Sequence, residues 1–386
     1  MGDAKGKIER GVKMESTRYM LWLHTRENLT PVKANALLTY FESAENIYNA
    51  ESYDKAEVKL SPAAYASLND KSFSKVDKII HYCTKNGVDI ITREDARYPA
   101  SLCHIYNPPL LLFVRGDISC LNDKLVISFV GTRKCSAYGI RAADKIAGEI
   151  SQYGVVVVSG MAKGIDTAAH EATLRAGGKT VAVLGCGIDI CYPKQNKSLM
   201  EKIAKTGAVI TEFIPGTPPD GANFPVRNRI ISGLARGVVI TEAPERSGAL
   251  ITASYAADQG KDVFAVPGDI TNPCCEGTNK LIADGAKLIT CAEDILCEYE
   301  NEYPDMKKQQ EVKEEPKIVG AVESLIADYN EDEKALLRAI GLVEKHIDDI
   351  ISESGLPSAQ VLSLLTIFEI TGVVEQIPGK FFKLVI

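Results

Sequence analysis

From about residue 125 onward, short and continuously apolar β-branched runs alternate with longer stretches whose apolar positions recur every three or four residues. The runs predict strands at 125–130, 155–159, 180–184, 208–211, 237–241 and 262–266, with a short last one near 288–290. Four consecutive valines, Val155 to Val158, suit a strand buried on both faces, as in a parallel sheet. Each run ends in a loop rich in Gly, Pro or Ser, and a helical pattern follows. Repeated strand–loop–helix units build an α/β fold with a Rossmann-like, mostly parallel sheet. Its ligand crevice lies at the carboxyl ends of the strands.

The flanks read differently. Apolar positions at 19–23, 31–41 and 45–50 predict short helices, with Thr30 as N-cap and Pro31 at the first helical position of the second. Residues 89–99, then 108–114 after Pro108-Pro109, read as an extended lead-in to the central sheet. Residues 299–317 are charged, Pro-containing and poor in aromatics, as linkers are. Helical periodicity returns at 331–342, 347–354 and 358–371, and a hairpin of 373–376 and 381–385 turns at Pro378-Gly379. Three helices and a hairpin make a winged-helix plan. The expected domains are 1–85 (helical), 86–298 (Rossmann-like), 299–328 (linker) and 329–386 (winged-helix-like).

Composition changes this picture little; charge distribution changes it more. An apolar share of 45% with 25% charged residues is ordinary for a soluble protein of 386 residues. No apolar run reaches the length of a membrane span, and the first fifteen residues have no signal-peptide core, so a cytoplasmic location without membrane association is expected. The ten cysteines form no CxxC clusters, so neither a metal site nor a cofactor is expected. The net charge of -7 seems to oppose nucleic acid, yet residues 124–298 carry 19 basic and 18 acidic side chains. The excess acid sits at 299–328 (4 basic, 8 acidic) and 329–386 (5 basic, 9 acidic). Local sign governs phosphate binding, so the central domain remains a candidate.

Its loops carry the chemistry. Gly131-Thr132-Arg133 follows the first parallel strand, where backbone amides and a helix N-terminus can meet an anion and Arg133 can grip it with two hydrogen bonds. Residues 159–166 add glycine, Lys163 and Asp166, and Asp166 shares a helix face with His170, as a structural pair that fixes the loop. Tyr192-Pro193-Lys194-Gln195-Asn196-Lys197 and Phe224-Pro225-Val226-Arg227-Asn228-Arg229 each combine an aromatic ring, two cations and an amide. That mix suits a phosphate track with a stacking surface, and so single-stranded nucleic acid. Gly185-Cys186-Gly187 begins like a dinucleotide fingerprint but has Ile190 in the third glycine position. Gly177-Gly178-Lys179-Thr180 resembles the end of a P-loop but precedes a strand and lacks the first glycine. Nicotinamide and ATPase readings are set aside.

In order along residues 88–296, Phe129-Val130-Gly131-Thr132-Arg133, the 159–166 loop, Gly185-Cys186-Gly187 with Tyr192-Pro193, residues 224–234, Glu242, Ser247 to Thr252, Val266-Pro267-Gly268 and Gly277 to Ile282 resemble the DNA-processing protein A (DprA/Smf) family. The resemblance implies a recombination mediator, not an enzyme. Such a protein binds incoming single-stranded DNA in natural transformation, dimerises through its Rossmann-like domain and loads the RecA recombinase. Carried over by motif, it implies DNA contacts at Arg133, Lys194, Asn196, Lys197, Phe224, Arg227 and Arg229. The loop chemistry adds Gly131, Thr132, Lys163 and Asn228. The N-terminal segment fits the family's SAM/helix-hairpin-helix-like extension, but residues 26–31 lack the glycine-rich hairpin often found there.

A rival reading is a nucleotide-hydrolysing enzyme related to the Rossmann-like nucleoside monophosphate phosphoribohydrolases. Those use a Pro-Gly-Gly-x-Gly-Thr loop, whereas here an insert separates Pro267-Gly268 from Gly277-Thr278. The winged-helix-like segment departs from duplex reading on charge. Its third helix, 358–371, contains no Lys or Arg, so a protein surface or a tuning role is expected for it.

Overall fold

The computed structural model describes residues 15–53, 56–304, 306, 329–340, 345–377 and 380–384. The chain divides into two compact units, Met1–Gln310 and Glu311–Ile386.

The first unit is built on one nine-stranded sheet. Its strands are β1 (Asp89–Thr92), β2 (Leu111–Gly116), β3 (Val126–Val130), β4 (Val156–Ser159), β5 (Thr180–Val183), β6 (Ala208–Thr211), β7 (Gly237–Ile240), β8 (Asp262–Ala265) and β9 (Lys287–Leu288). Across the sheet they run β1-β2-β6-β5-β4-β3-β7-β8-β9. From β6 to β9 every pairing is parallel, while β1 and β2 pair antiparallel and close one edge. The lead-in expected from the sequence is therefore part of the sheet. The chain steps outward from β3 to β6 and returns to place β7 beside β3, so the order reverses between those two strands.

Helices cover both faces. α1 (residues 15–24), α2 (Pro31–Phe41), α3 (Ala44–Asn49), α4 (Pro62–Asn69) and α5 (Ser74–Lys85) precede the sheet. Between strands come α6 (Ala137–Ser151), α7 (Ile165–Arg175), α8 (Lys197–Thr206), α9 (Asn223–Leu234), α10 (Gly248–Asp258) and α11 (Glu276–Ala283), and α12 (Glu293–Leu296) follows β9. Alternate valines and isoleucines of the strands, such as Val158, Val183 and Ile240, pack against Ile230, Ile231 and Leu234 of α9 and the alanines of α10. The opposite face buries Ile127, Phe129, Val157 and Phe264 under Ile146 and Ile150 of α6 and Ala169 and Ala172 of α7. Burying one such large side chain stabilises by about 2–3 kcal/mol. The N-terminal helices close over Leu111, Phe113 and Val209 through Trp22, Leu37 and Ile47.

Thr30 caps α2 by accepting from the amide of Lys33, with Pro31 following. In the preceding turn Asn28 takes the left-handed conformation (φ 59°) that a glycine-rich hairpin would supply. At the other end, composition puts Tyr299 in the linker, but the structure puts it in the core. Its ring meets Phe264 edge-on at 6.3 Å, its hydroxyl donates to Asp262 at 2.6 Å, and Tyr303 and Met306 pack on the same cluster. Charged neighbours masked a buried aromatic.

The second unit holds α13 (Glu331–Ile340), β10 (Lys345–His346), α14 (Ile347–Ser354), α15 (Ser358–Ile370), β11 (Val374–Ile377) and β12 (Phe381–Leu384). Its antiparallel sheet runs β10-β12-β11, and Leu337, Ile340, Ile350, Val361, Leu365 and Phe368 fill its core. β10, only two residues long, is too short to show in periodicity. Pro378, Gly379 and Val385 of the expected hairpin lie outside the described residues.

Candidate nucleic-acid interface

The loops at the carboxyl ends of β3, β4 and β5 meet the start of α9 in a small cleft of about 50 Å³. It is lined by Arg133, Gly160, Ala162, Lys163, Tyr192, Pro193, Phe224 and Arg227. At its centre lies the Phe224 ring. Tyr192 stacks on it at 5.6 Å and 30°, the Arg133 guanidinium sits 4.9 Å from its centroid, and that of Arg227 sits 5.8 Å away. The outer tyrosine is 42% exposed, so the stack presents an aromatic surface beside a cation.

The loop glycines serve this stack. A Cβ on Gly185 would come within 2.7 Å of the Phe224 ring, so only glycine lets the ring lie against the backbone there. The Gly185-Cys186-Gly187 turn thus makes room for an aromatic side chain. A Cβ on Gly160 would press on both the Arg227 guanidinium and the Asp166 carboxylate, at 2.8 Å each.

Asp166 organises the β4 loop by accepting from the amides of Gly160 (3.1 Å) and Ala162 (3.3 Å). Burial raises its pKa, while Arg227 and those amides hold it down. The expected Asp166–His170 pair does not form. His170 Nδ1 meets the Thr180 hydroxyl at 2.7 Å, and burial, with Arg227 nearby, lowers its pKa to about 3. A shared helix face does not fix which neighbour a buried imidazole meets, and here the strand behind α7 offers the closer one.

The expected contact residues separate into two groups. Arg133, Lys163, Lys194 and Lys197 are exposed and, among the described residues, form no ion pair, while Phe224 is half-buried at the cleft. The others face inward. Arg227 is buried; its Nη1 donates to Gly160 O at 2.8 Å and to Val183 O, and its Nε to Asn228 Oδ1 at 3.2 Å. Burial and the Arg133 charge bring its pKa down to about 10, against the pull of Asp166, so it stays cationic at neutral pH. Asn196 donates to Met161 O (3.1 Å) and Thr167 Oγ1 (2.9 Å), stitching the lysine-bearing turn to the β4 loop. Asn228 donates to Gly248 O and so braces α9 against α10.

Arg229 requires a correction, since it is not free for a ligand. It is buried in a two-pronged pair with Glu212, at 2.8 and 2.6 Å, and donates to Asn107 O. The amphipathic placement of Phe224 outward turns Arg229 toward the end of β6, and Glu212 carried no sequence signal as its partner. The first turn is also corrected. The anion at the N-terminus of α6 is internal: Glu242 accepts from Ser136 N (2.8 Å) and Ser136 Oγ (2.7 Å), and its backbone carbonyl takes the Thr132 amide (2.7 Å). Gly131 packs beneath, against Ile165, and of this turn's three motif residues Arg133 is the exposed one. The cleft lining carries no carboxylate, and Glu276 is exposed on the first turn of α11.

Residues 89–300 match the family model described as DNA recombination-mediator protein A, and residues 323–380 match the DprA winged helix domain. Protein Smf of Synechocystis is 31% identical over 405 aligned residues, covering 96% of this chain and 98% of that protein. DNA processing protein DprA of Streptococcus pneumoniae is 47% identical over 206 residues, covering 53% of this chain and 72% of that one. A crystal structure of the S. pneumoniae protein superposes with a TM-score of 0.64 at 38% identity, covering 73% of this chain and 97% of that one. A structure of DNA processing protein A from Helicobacter pylori, described as giving insight into a unique single-stranded DNA binding mode, superposes with a TM-score of 0.51 at 28% identity. The match covers 56% of this chain and 97% of that one. The chain belongs to the DprA/Smf family of DNA recombination-mediator proteins.

Proposed function

We propose that the first unit binds single-stranded DNA with little sequence preference, as a mediator that loads RecA onto incoming strands during natural transformation. The observation that carries the DNA reading is the Tyr192–Phe224 stack flanked by the Arg133 guanidinium. Exposed Lys163, Lys194 and Lys197 border it. Rings accept any base face, and unpaired cations track phosphates, so the surface favours strand over sequence. The single-stranded DNA binding mode described for the Helicobacter pylori relative supports this reading. A non-enzymatic role belongs to the same proposal and rests on family membership.

Fluorescence anisotropy with oligo-dT and a matching duplex tests the reading. Tight, strongly salt-dependent binding of the single strand is expected; equal affinity for both, or no salt slope, refutes it. The RecA role rests on family membership and is tested by strand exchange with RecA and a single-strand-binding protein, where this chain should stimulate. A homodimer in the cytoplasm belongs to the same proposal, and light scattering over a range of concentrations reads the dimer. No helix among the described residues is long and apolar enough to cross a membrane.

A further inference from the structure

The carboxyl edge of the sheet has a second half, and its chemistry repeats that of the first. Tyr138, Arg141 and Lys145 fall on one face of α6 and, with Val266, Pro267 and Thr290 at the ends of β8 and β9, line a cleft of about 250 Å³. The two cations are exposed and, among the described residues, neither pairs with a carboxylate. Tyr138 is 40% exposed, and its hydroxyl donates to Pro267 O at 2.6 Å, which holds the ring at the cleft wall.

Nearby acids are already engaged. Asp294 accepts from Thr290 N (2.7 Å), Thr290 Oγ1 (3.1 Å) and Cys291 N (3.2 Å). Glu149 accepts from Ala292 N at 3.4 Å, and Asp144 pairs with Arg175. The carboxylates around the cleft thus cap backbone or bind elsewhere, leaving Arg141 and Lys145 for an external anion.

We propose that this cleft is a second phosphate subsite, which takes the continuation of a single strand bound at the Tyr192–Phe224 stack. The proposal rests on the single-strand reading above. Arg133, at the first site, leads directly through Lys134 into α6, so the two sites are joined by one short segment. From β4 to β9 there are four inter-strand steps in the sheet order, about 19 Å at ~4.8 Å per step. At ~3.4 Å per stacked nucleotide that is about six nucleotides. A strand shorter than this is held by one site, and a longer one crosses the β3–β7 switch and reaches both.

The test compares oligo-dT of about four and about twenty nucleotides on the full chain, one below and one well above that span, by anisotropy across a salt series. For the double variant Arg141→Ala/Lys145→Ala, affinity for the long strand should fall roughly tenfold and its salt slope by about 1.4, two single-strand phosphate contacts' share. Affinity for the short strand should hold. The charge-conserving Arg141→Lys/Lys145→Arg should restore long-strand binding, which separates lost charge from lost fold. Wild-type affinity of the alanine variant for the long strand, or equal weakening for both lengths, overturns the second subsite. In either case Arg133→Ala should still weaken both lengths if the first site stands. If the wild-type chain binds neither length, the single-strand reading itself fails and this inference with it.

Discussion

The carboxyl edge of the first unit and the exposed face of α15 in the second are both places where protein folds commonly meet DNA. At the sheet edge, Arg133, Lys163, Lys194 and Lys197 stand exposed without acidic partners among the described residues, around an aromatic stack. α15 presents Leu362 (53% exposed), Ser363, Thr366 and Ile367 (51% exposed), with no cation at all. Around it Lys334, Lys345 and Lys383 pair with Glu331, Glu353 and Glu375. A recognition helix needs flanking phosphate contacts to hold it in a groove, and here Lys334, Lys345 and Lys383 are engaged by acids, which leaves Lys380 of the hairpin exposed without an ion pair among the described residues. The supply of unpaired charge, more than the type of fold, separates these two surfaces.

The sharpest way to test that distinction is a cation that is paired. Arg229→Ala leaves Glu212 buried without a counter-charge and should cost about 3–5 kcal/mol of stability, read as a lowered urea midpoint. Single-strand affinity of the fraction that remains folded should be unchanged; a selective loss of binding at full stability would break the comparison. Next comes an unpaired one. Arg133→Ala should leave the melting temperature near wild type and weaken oligo-dT binding by about 2 kcal/mol, roughly thirtyfold in Kd, because a guanidinium–phosphate fork and a ring contact are lost together. Wild-type affinity in a folded Arg133→Ala protein would move the site off this edge.

Acid sharpens the contrast between the units. His170 is buried with its pKa lowered to about 3, so its folded form resists a proton that the unfolded chain accepts near pH 6.5. Its contribution is fully present above pH 6.5 and declines as pH falls toward 3, at most about 1.4 kcal/mol per pH unit. Urea titrations of the first unit at pH 7.5 and 5 should show this slope, and His170→Asn should flatten it; an unchanged slope would place the titration elsewhere. The smallest effect is expected from removing the second unit. Truncation after Gln310 keeps Tyr299, Tyr303 and Met306 on the core and should leave single-strand affinity within a few fold, whereas a large loss would give α15's unit a direct part in binding.

Much of this was legible in the chain. Fully apolar valine runs are a strong signal, and β3 to β8 fall within a residue of where periodicity puts them. The antiparallel β1 and β2 show only as extended chain, because pairing direction is a tertiary outcome that local pattern does not encode. α5 escapes for a related reason. It is mostly polar with one apolar stripe at Val76, Ile79 and Cys83, and it gains its place by packing under the N-terminal helices. At the site, motif residues point to the right loops but not to a direction. Phe224 and Arg227 share a helix with Arg229, and which face meets the cleft depends on Gly185 and Glu212, distant in sequence.

Glu242 carries a consequence for selectivity in a cell. Its carboxylate sits at the mouth of α6, in the position where a Rossmann enzyme seats the pyrophosphate of its cofactor. Here that pocket holds a permanent tenant of the same sign. Free dinucleotides and nucleoside triphosphates, abundant in any cytosol, find the berth repulsive and closed. What remains open is the group of rings and guanidinium outside it, the surface proposed above for a single strand. Competition assays should then show single-strand binding indifferent to excess ATP or NAD beyond their effect on ionic strength.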